Sequence, residues 1–235
     1  MNIIIFEIRG AMAHFRRPDT MGTQSTYPFI TRTALRGLAA SILGRATLPS
    51  EVLCGIQLLA PVRTVAQEIT MHGKSWVSGG DEKSFHRPTA IELVVRPHYR
   101  IYYSGPFGEE LAVRLQAGQS HYHTYLGSAY CLTFPKWVES ISVAEPELLR
   151  DSEPIVCQSV VPSLAVKHLL PQEGDQYARV GGVVLEHVGE RRFRGTISVL
   201  YEVNGGALRF FPAVSAETAP WEFHSLPGGT KICLW

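Results

Sequence analysis

IIIFEIRGAMAHFRRPDTMGTQSTYPFITRTALRGLAASILG, residues 3–44, holds two regular elements with a long polar loop between them. Asn2–Ile8 is an apolar run rich in β-branched side chains, the pattern of a buried strand. Gly10 ends it. The loop Ala11–Ile30 carries Pro18, Gly22 and Pro28 and therefore cannot be helical throughout. Thr31 or Thr33 then supplies a hydroxyl cap for a helix. Its apolar stripe is Ala34, Leu35, Leu38, Ala39, Ile42 and Leu43, and Gly44 stands where a left-handed C-terminal residue closes such a helix.

Outward from this segment the pattern stays mixed. Glu51–Val62 reads as a second strand. Residues 65–104 read as an extended β-hairpin that projects from the domain, with the polar tip Ser78–Pro88 between its arms. Phe107–Gln116 is a short helix with Leu111 and Leu115 on one face, and His121–Thr133 returns as a strand-like segment. This order predicts an α+β fold with a ferredoxin-like split β-α-β layout. Glu145–Glu173, punctuated by Pro146, Pro154, Pro162 and Pro171, reads as a connection. Beyond it Val180–His187 and Arg194–Val203 form a hairpin around the charged turn Gly189–Arg192. The expected division is a domain over 1–145 and a small β-rich region over 146–235.

Composition narrows the class. With 235 residues, 45% hydrophobic and 18% charged, the chain is globular. A net charge of +1 conceals an asymmetry: residues 1–100 hold 12 Lys/Arg against 7 Asp/Glu, while residues 101–235 hold 10 against 14. Most cations of the first part are arginines, whose planar fork suits phosphate. Cys54, Cys131, Cys157 and Cys233 lack C-x-x-C spacing, which argues against a zinc ribbon and for buried reduced thiols in a cytoplasmic protein. The start Ile3–Phe6 is too short for a signal peptide, and no run is long enough to span a membrane. The Gly-Gly pairs at 181, 205 and 228 lack P-loop spacing.

Three blocks occur in order: G-A-M-A-H-F-R-R-P (Gly10–Pro18), T-Y-P-F (Thr26–Phe29) and T-x-L-x-G-L…I-L-G (Thr33–Gly44). Together with G-Q-S-H-Y-H-T-Y-L-G-S-A (Gly118–Ala129) they resemble the fifth family of CRISPR-associated proteins, a branch of the RAMP superfamily. The resemblance implies an RRM-related ferredoxin-like domain with an inserted β-hairpin thumb and a small C-terminal sheet. It implies a subunit of a type I Cascade effector complex that caps the 5′ handle of the crRNA. Such a subunit contacts the backbone subunit and the large subunit, and meets target DNA indirectly through the complex. The implied role is non-catalytic and needs no cofactor. In one variant, type I-C, the family member itself cuts precursor RNA with a Tyr/Lys/His set; here the Lys-His dipeptide occurs only as Lys167-His168, in the proline-rich connection.

Candidate RNA contacts follow from residue chemistry. Arg16 and Arg17 engage successive phosphates, with His14 and Phe15 beside them as ring partners for bases. Arg9 either meets RNA or pairs with Glu7. Thr26 and Tyr27 precede the helix N-terminus, where free N–H groups favour phosphate. Arg32 and Arg36 stand four apart on the expected polar face of the helix and extend the track. Lys74, Trp76, Lys83, His86 and Arg87 interleave cations with a ring on the proposed thumb. His121 and His123 alternate and would share a strand face, yet no Cys or carboxylate adjoins them for a metal. The alternative is a metal-independent endoribonuclease drawing on His14, Tyr27, His121 and His123. A third reading is a protein-protein scaffold with incidental basic residues.

Overall fold

The computed structural model describes residues 1–20, 22–72, 86–190, 192–213 and 219–235, with backbone only at 71, 72, 86 and 87. The first strand, β1 (Asn2–Arg9), is followed by the short β2 (Met12–Ala13) and helix α1 (Arg32–Leu43). Then come β3 (Leu53–Leu58), β4 (Thr64–His72), β5 (His86–Val95), β6 (His98–Ser104), α2 (Gly108–Gln116) and β7 (Lys136–Ser142). An antiparallel sheet runs in the order β3-β6-β1-β7, with Phe6 and Ile56 both opposite Ile101. The elements forming this layer and its helices follow the chain order β-α-β-β-α-β.

β1 is apolar almost without alternation because both of its faces are covered. Ile4, Phe6 and Ile8 share a cluster with Leu35, Ile42 and Leu111 of the helices. Ile3 and Ile5 share another with Tyr102, Leu226, Ile232 and Leu234. Each fully buried Ile or Phe there contributes about 1.5–3 kcal/mol. Helix α1 has the caps its sequence predicts. The Thr31 hydroxyl accepts from the Ala34 N–H, and Gly44, at φ 73°, donates its N–H to the Ala40 carbonyl.

The remainder is β8 (Ile155–Cys157), β9 (Val161–Pro162), a 3-10 turn at Ser163–Ala165, β10 (Val166–Leu169), β11 (Tyr177–His187), β12 (Phe193–Glu202), β13 (Leu208–Pro212), β14 (Glu222–Ser225) and β15 (Lys231–Leu234). They make a five-stranded sheet, β10-β13-β8-β15-β14, and a three-stranded one, β11-β12-β9. The first of these is sewn to the N-terminal layer: Cys54 and Trp235 exchange both backbone hydrogen bonds, at 3.2 and 3.0 Å. A Cβ on Gly55 would lie 2.9 Å from the Cys233 carbonyl, so this seam requires glycine. One hydrophobic cluster accordingly takes Phe6 and Leu35 together with Phe210 and Cys233.

Several elements differ from the sequence reading. The run expected as one long second arm of a hairpin breaks at Arg96, a non-glycine residue at φ 49°, followed by Pro97. Upstream of the break β5 pairs with β4, and downstream β6 enters the main sheet. His121–Thr133 is turns with a single bridge, Tyr125 to Leu132. The fourth strand is instead β7, an edge strand whose outward residues blur the alternation. The proline-punctuated stretch contributes β8, β9 and β10: Pro154 only precedes the central β8, Pro162 lies in the edge strand β9, and Pro171 follows the edge strand β10. All four cysteines are free and buried, and burial pushes the Cys54 thiol up to about 12.

Glu7 does not pair with Arg9. It faces Arg100 across β1 and β6, accepting at 2.7 Å, and meets His98 Nε2 at 3.0 Å. Burial opposes ionisation of Glu7, but the Arg100 and His98 hydrogen bonds outweigh it and hold the carboxyl below its ordinary 4.5. A lowered folded-state value adds stability that is full above that pH and is lost as pH falls through the folded value. Glu7→Gln should therefore cost more stability at about pH 7 than at about pH 3 in paired urea titrations. An equal loss at both would remove the carboxylate from the account.

Candidate nucleic-acid interface

The loop between β1 and α1 is not free coil. Met12 and Ala13 pair with Val95 and Val94 of β5. This brings His14 beside β5, where its Nδ1 meets the Glu92 carbonyl at 2.8 Å. A carbonyl only accepts, so Nδ1 carries a proton and donates it. Nε2 is buried and has no hydrogen-bond partner among the described residues. Residues 15–17 then run beside 25–27. Tyr27 donates its N–H to the Phe15 carbonyl, Arg17 to that of Ser25, and the Thr26 hydroxyl accepts from the Phe15 N–H at 2.9 Å. Gly127 closes the other side at φ 85°; a Cβ there would lie 2.0 Å from the His14 carbonyl. The Tyr125-Leu126-Gly127 stretch singled out in the sequence thus reaches the loop by a backbone approach that only glycine permits.

The candidate side chains separate sharply by burial. Phe15, Thr26 and Tyr27 are in the core. The Tyr27 hydroxyl donates to the Gly182 carbonyl at 2.5 Å, and burial raises its pKa. Arg17 is held by Asp19 at 2.8 Å and lies 5.5 Å from the Tyr27 ring centroid. Arg16 is exposed and makes no hydrogen bond or ion pair among the described residues. Arg9 is exposed at the end of β1.

Arg32 and Arg36 do not lie on a solvated face, as their spacing suggested. Both are 8% exposed. Arg32 donates to the main-chain oxygens of Trp235, Leu185 and Val52 at 3.0, 2.5 and 2.9 Å, and burial pushes its pKa down. Arg36 donates to Leu48 and Pro49 at 2.6 and 2.7 Å. Carbonyls at strand and turn ends need donors, and a guanidinium supplies five. These arginines therefore tie the hairpin β11–β12, the 48–52 turn and the chain end to α1.

Lys74, Trp76 and Lys83 lie outside the described residues. His86 and Arg87 begin β5, opposite His72 and Met71 at the far end of the β4–β5 ladder. His121 is in a turn, its ring laid against Gly44, rather than on a strand beside His123. Among the described residues no group of three His, Cys, Asp or Glu gathers to hold a metal.

A cavity of about 580 Å³ joins these parts. Its walls include His14, Arg16, Thr33, Gly37, His187 and Phe193. The last two close the β11–β12 hairpin as its final registered pair, with ring centroids 5.3 Å apart. Sequence analysis missed them. The hairpin itself was legible, but nothing local says that its tip comes to α1. Gly37 is the other missed lining residue: it is exposed on α1, and a Cβ there would meet open space.

This is a mostly β protein whose strand-to-helix loop and C-terminal hairpin jointly enclose a polar-rimmed cavity. The chain belongs to the Cas5 family of CRISPR-associated proteins: the family model described as CRISPR-associated protein (Cas_Cas5) matches residues 3–177. No curated protein matches it. Among solved structures, one described as a CRISPR RNA-guided surveillance complex is similar at 16% identity and TM-score 0.56, covering 90% of this chain and 91% of that one. A CRISPR protein from Archaeoglobus fulgidus is similar at 11% identity and TM-score 0.55, with 99% and 98% covered. A further Cas protein matches at 15% identity and TM-score 0.51, with 86% and 95% covered. At such identities the likeness is one of fold.

Proposed function

We propose that the protein is a non-catalytic RNA-binding subunit of a type I Cascade effector complex, holding the 5′ handle of the guide RNA at the loop between β1 and α1. The observation that carries this is Arg16: an exposed guanidinium lining a cavity, without an ion-pair partner among the described residues, in a chain of the Cas5 family. The strand order 3-6-1-7 supports reading the first layer as a ferredoxin-like RAMP domain. The β4–β5 ladder, paired outside that layer, supports reading this hairpin as the thumb. The acidic second half and this hairpin are the faces we assign to the backbone and large subunits, with target DNA met only through the assembled complex. The place of action is the cytoplasm.

The competing reading is a metal-independent endoribonuclease. The buried His14 ring, oriented through Nδ1, is the feature that favours it. The commitment of the Tyr27 hydroxyl to Gly182 and the packing of His121 on Gly44 support holding over cutting. One experiment separates the readings. The protein is titrated with handle RNA and with a scrambled RNA at two salt concentrations in EDTA, and the RNA is then resolved on a gel. Intact RNA, a preference for the handle and affinity that falls with salt are expected. Site-specific cleavage would replace this proposal with the nuclease, and equal affinity for both RNAs would remove the handle from it.

A further inference from the structure

A carboxylate is out of place in a loop that is to hold phosphate. Glu92 is half-buried on β5 and lines a cavity together with Arg17 and Arg179. By charge alone it repels the ligand assigned to this loop. Its contacts give it a different task. The Glu92 carboxylate accepts the Thr26 N–H at 3.1 Å. Its carbonyl accepts from His14 Nδ1 at 2.8 Å, and its own N–H donates to the Gln24 carbonyl at 3.0 Å. His14 belongs to the limb of the loop that leaves β1, and Gln24 and Thr26 belong to the limb that returns to α1. One residue of β5 therefore fastens both limbs.

The side-chain link leads to Arg16. Thr26 is buried, and its hydroxyl accepts from the Phe15 N–H at 2.9 Å. Arg16 and Thr26 stand opposite each other as an antiparallel bridge, closed on either side by the Tyr27–Phe15 and Arg17–Ser25 hydrogen bonds. The support beneath is the hairpin. Along the edge that β4 leaves open, β5 pairs with Met12 and Ala13 and, through Ile91, with Gln24. We propose that Glu92 is a positioning residue for RNA binding. Its carboxylate fixes Thr26 on β5, and through Thr26 holds the Arg16 backbone in the register that presents the guanidinium to the strand. Glu92 itself touches no RNA: its charge opposes binding and its reach serves it. A loop released from this register binds more weakly in proportion to the fraction still correctly set. The inference rests on the RNA-binding reading and adds to it the residue that shapes the loop.

The test uses the full chain, handle RNA and two conservative variants. Glu92→Gln removes the charge and keeps an oxygen at the same reach. Glu92→Asp keeps the charge and withdraws it by one methylene. Charge acting alone would leave Glu92→Asp at wild-type affinity and tighten Glu92→Gln. Positioning predicts that Glu92→Asp binds about tenfold more weakly, the factor carried by one hydrogen bond to a charged group. Glu92→Gln should bind at least as tightly as the wild type. Hydrogen exchange of the Thr26 amide, read without RNA, should quicken about tenfold in Glu92→Asp and stay within about threefold of the wild type in Glu92→Gln. In an Arg16→Ala background Glu92→Asp should cost less than about twofold in affinity, because the two residues act as a unit.

Wild-type affinity in Glu92→Asp, with or without quickened exchange, would overturn the positioning role while leaving RNA binding standing. So would an equal loss in Glu92→Gln, or a loss in Glu92→Asp that persists in full beside Arg16→Ala. Should Glu92→Asp not fold, Glu92→Gln decides by itself: weakened binding overturns the proposal. Handle RNA bound as tightly by Arg16→Ala as by the wild type would overturn the RNA-holding loop, and the role of Glu92 with it.

Discussion

Arg32→Leu should lower the free energy of unfolding by about 3–5 kcal/mol. Its guanidinium donates to main-chain oxygens of Trp235, Leu185 and Val52, with Ser50 further off at 3.4 Å. Those oxygens come from three separate parts of the chain that meet over the start of α1. Each buried acceptor left without its donor costs about 1–3 kcal/mol, and the leucine recovers some of this through its own burial. Arg32→Lys should rescue little. A single ammonium cannot copy a planar fork that points at three carbonyls in different directions. The measurement is a urea transition, read as a lowered midpoint with an unchanged slope. A loss below about 1 kcal/mol would show that the clamp is dispensable.

Arg16→Glu should do the reverse. Stability should stay within about 0.5 kcal/mol, because the side chain is exposed and unpaired among the described residues. Affinity for handle RNA should fall about 10- to 100-fold at low salt. A charged hydrogen bond is worth about 1.5–3 kcal/mol, and each 1.4 kcal/mol is a factor of ten. The dependence of log affinity on log salt should become shallower by about 0.7, the share of one phosphate on a single strand. Unchanged affinity and slope would take the loop out of the RNA path and leave the scaffold reading in its place. The two arginines thus make a paired test: one variant lowers stability, and the other lowers RNA affinity at unchanged stability.

Both residues are arginines within one short segment, and their sequence neighbourhoods do not tell them apart. What could be read locally was read well. β1 was legible because an apolar β-branched run needs no partner to be recognised. α1 was legible because its stripe, its threonine cap and Gly44 all fall within one window. The β11–β12 hairpin was legible because a charged turn separates two apolar runs. The same holds for α2, whose buried Leu111 and Leu115 lie one turn apart.

The misses share a cause. β5 and β6 were merged because a left-handed Arg96 is not foreshadowed by its residue type. β7 was passed over because an edge strand with outward polar residues has little periodicity. Within the site, the sequence suggests Phe15 as a stacking ring and Tyr27 as a polar RNA contact ahead of the helix, whereas the fold spends both on the core. His187 and Phe193 were overlooked, although the fold brings them over α1.

Sequence alone determined β1, α1, α2 and the β11–β12 hairpin, the placement of basic charge in the first half, the buried state of the thiols and membership of the family. Those properties depend on patterns spanning a few residues, or on composition. Tertiary structure alone decided which arginine faces water. A guanidinium turns inward only where enough carbonyls converge to satisfy it, and the oxygens that hold Arg32 lie up to 203 residues away.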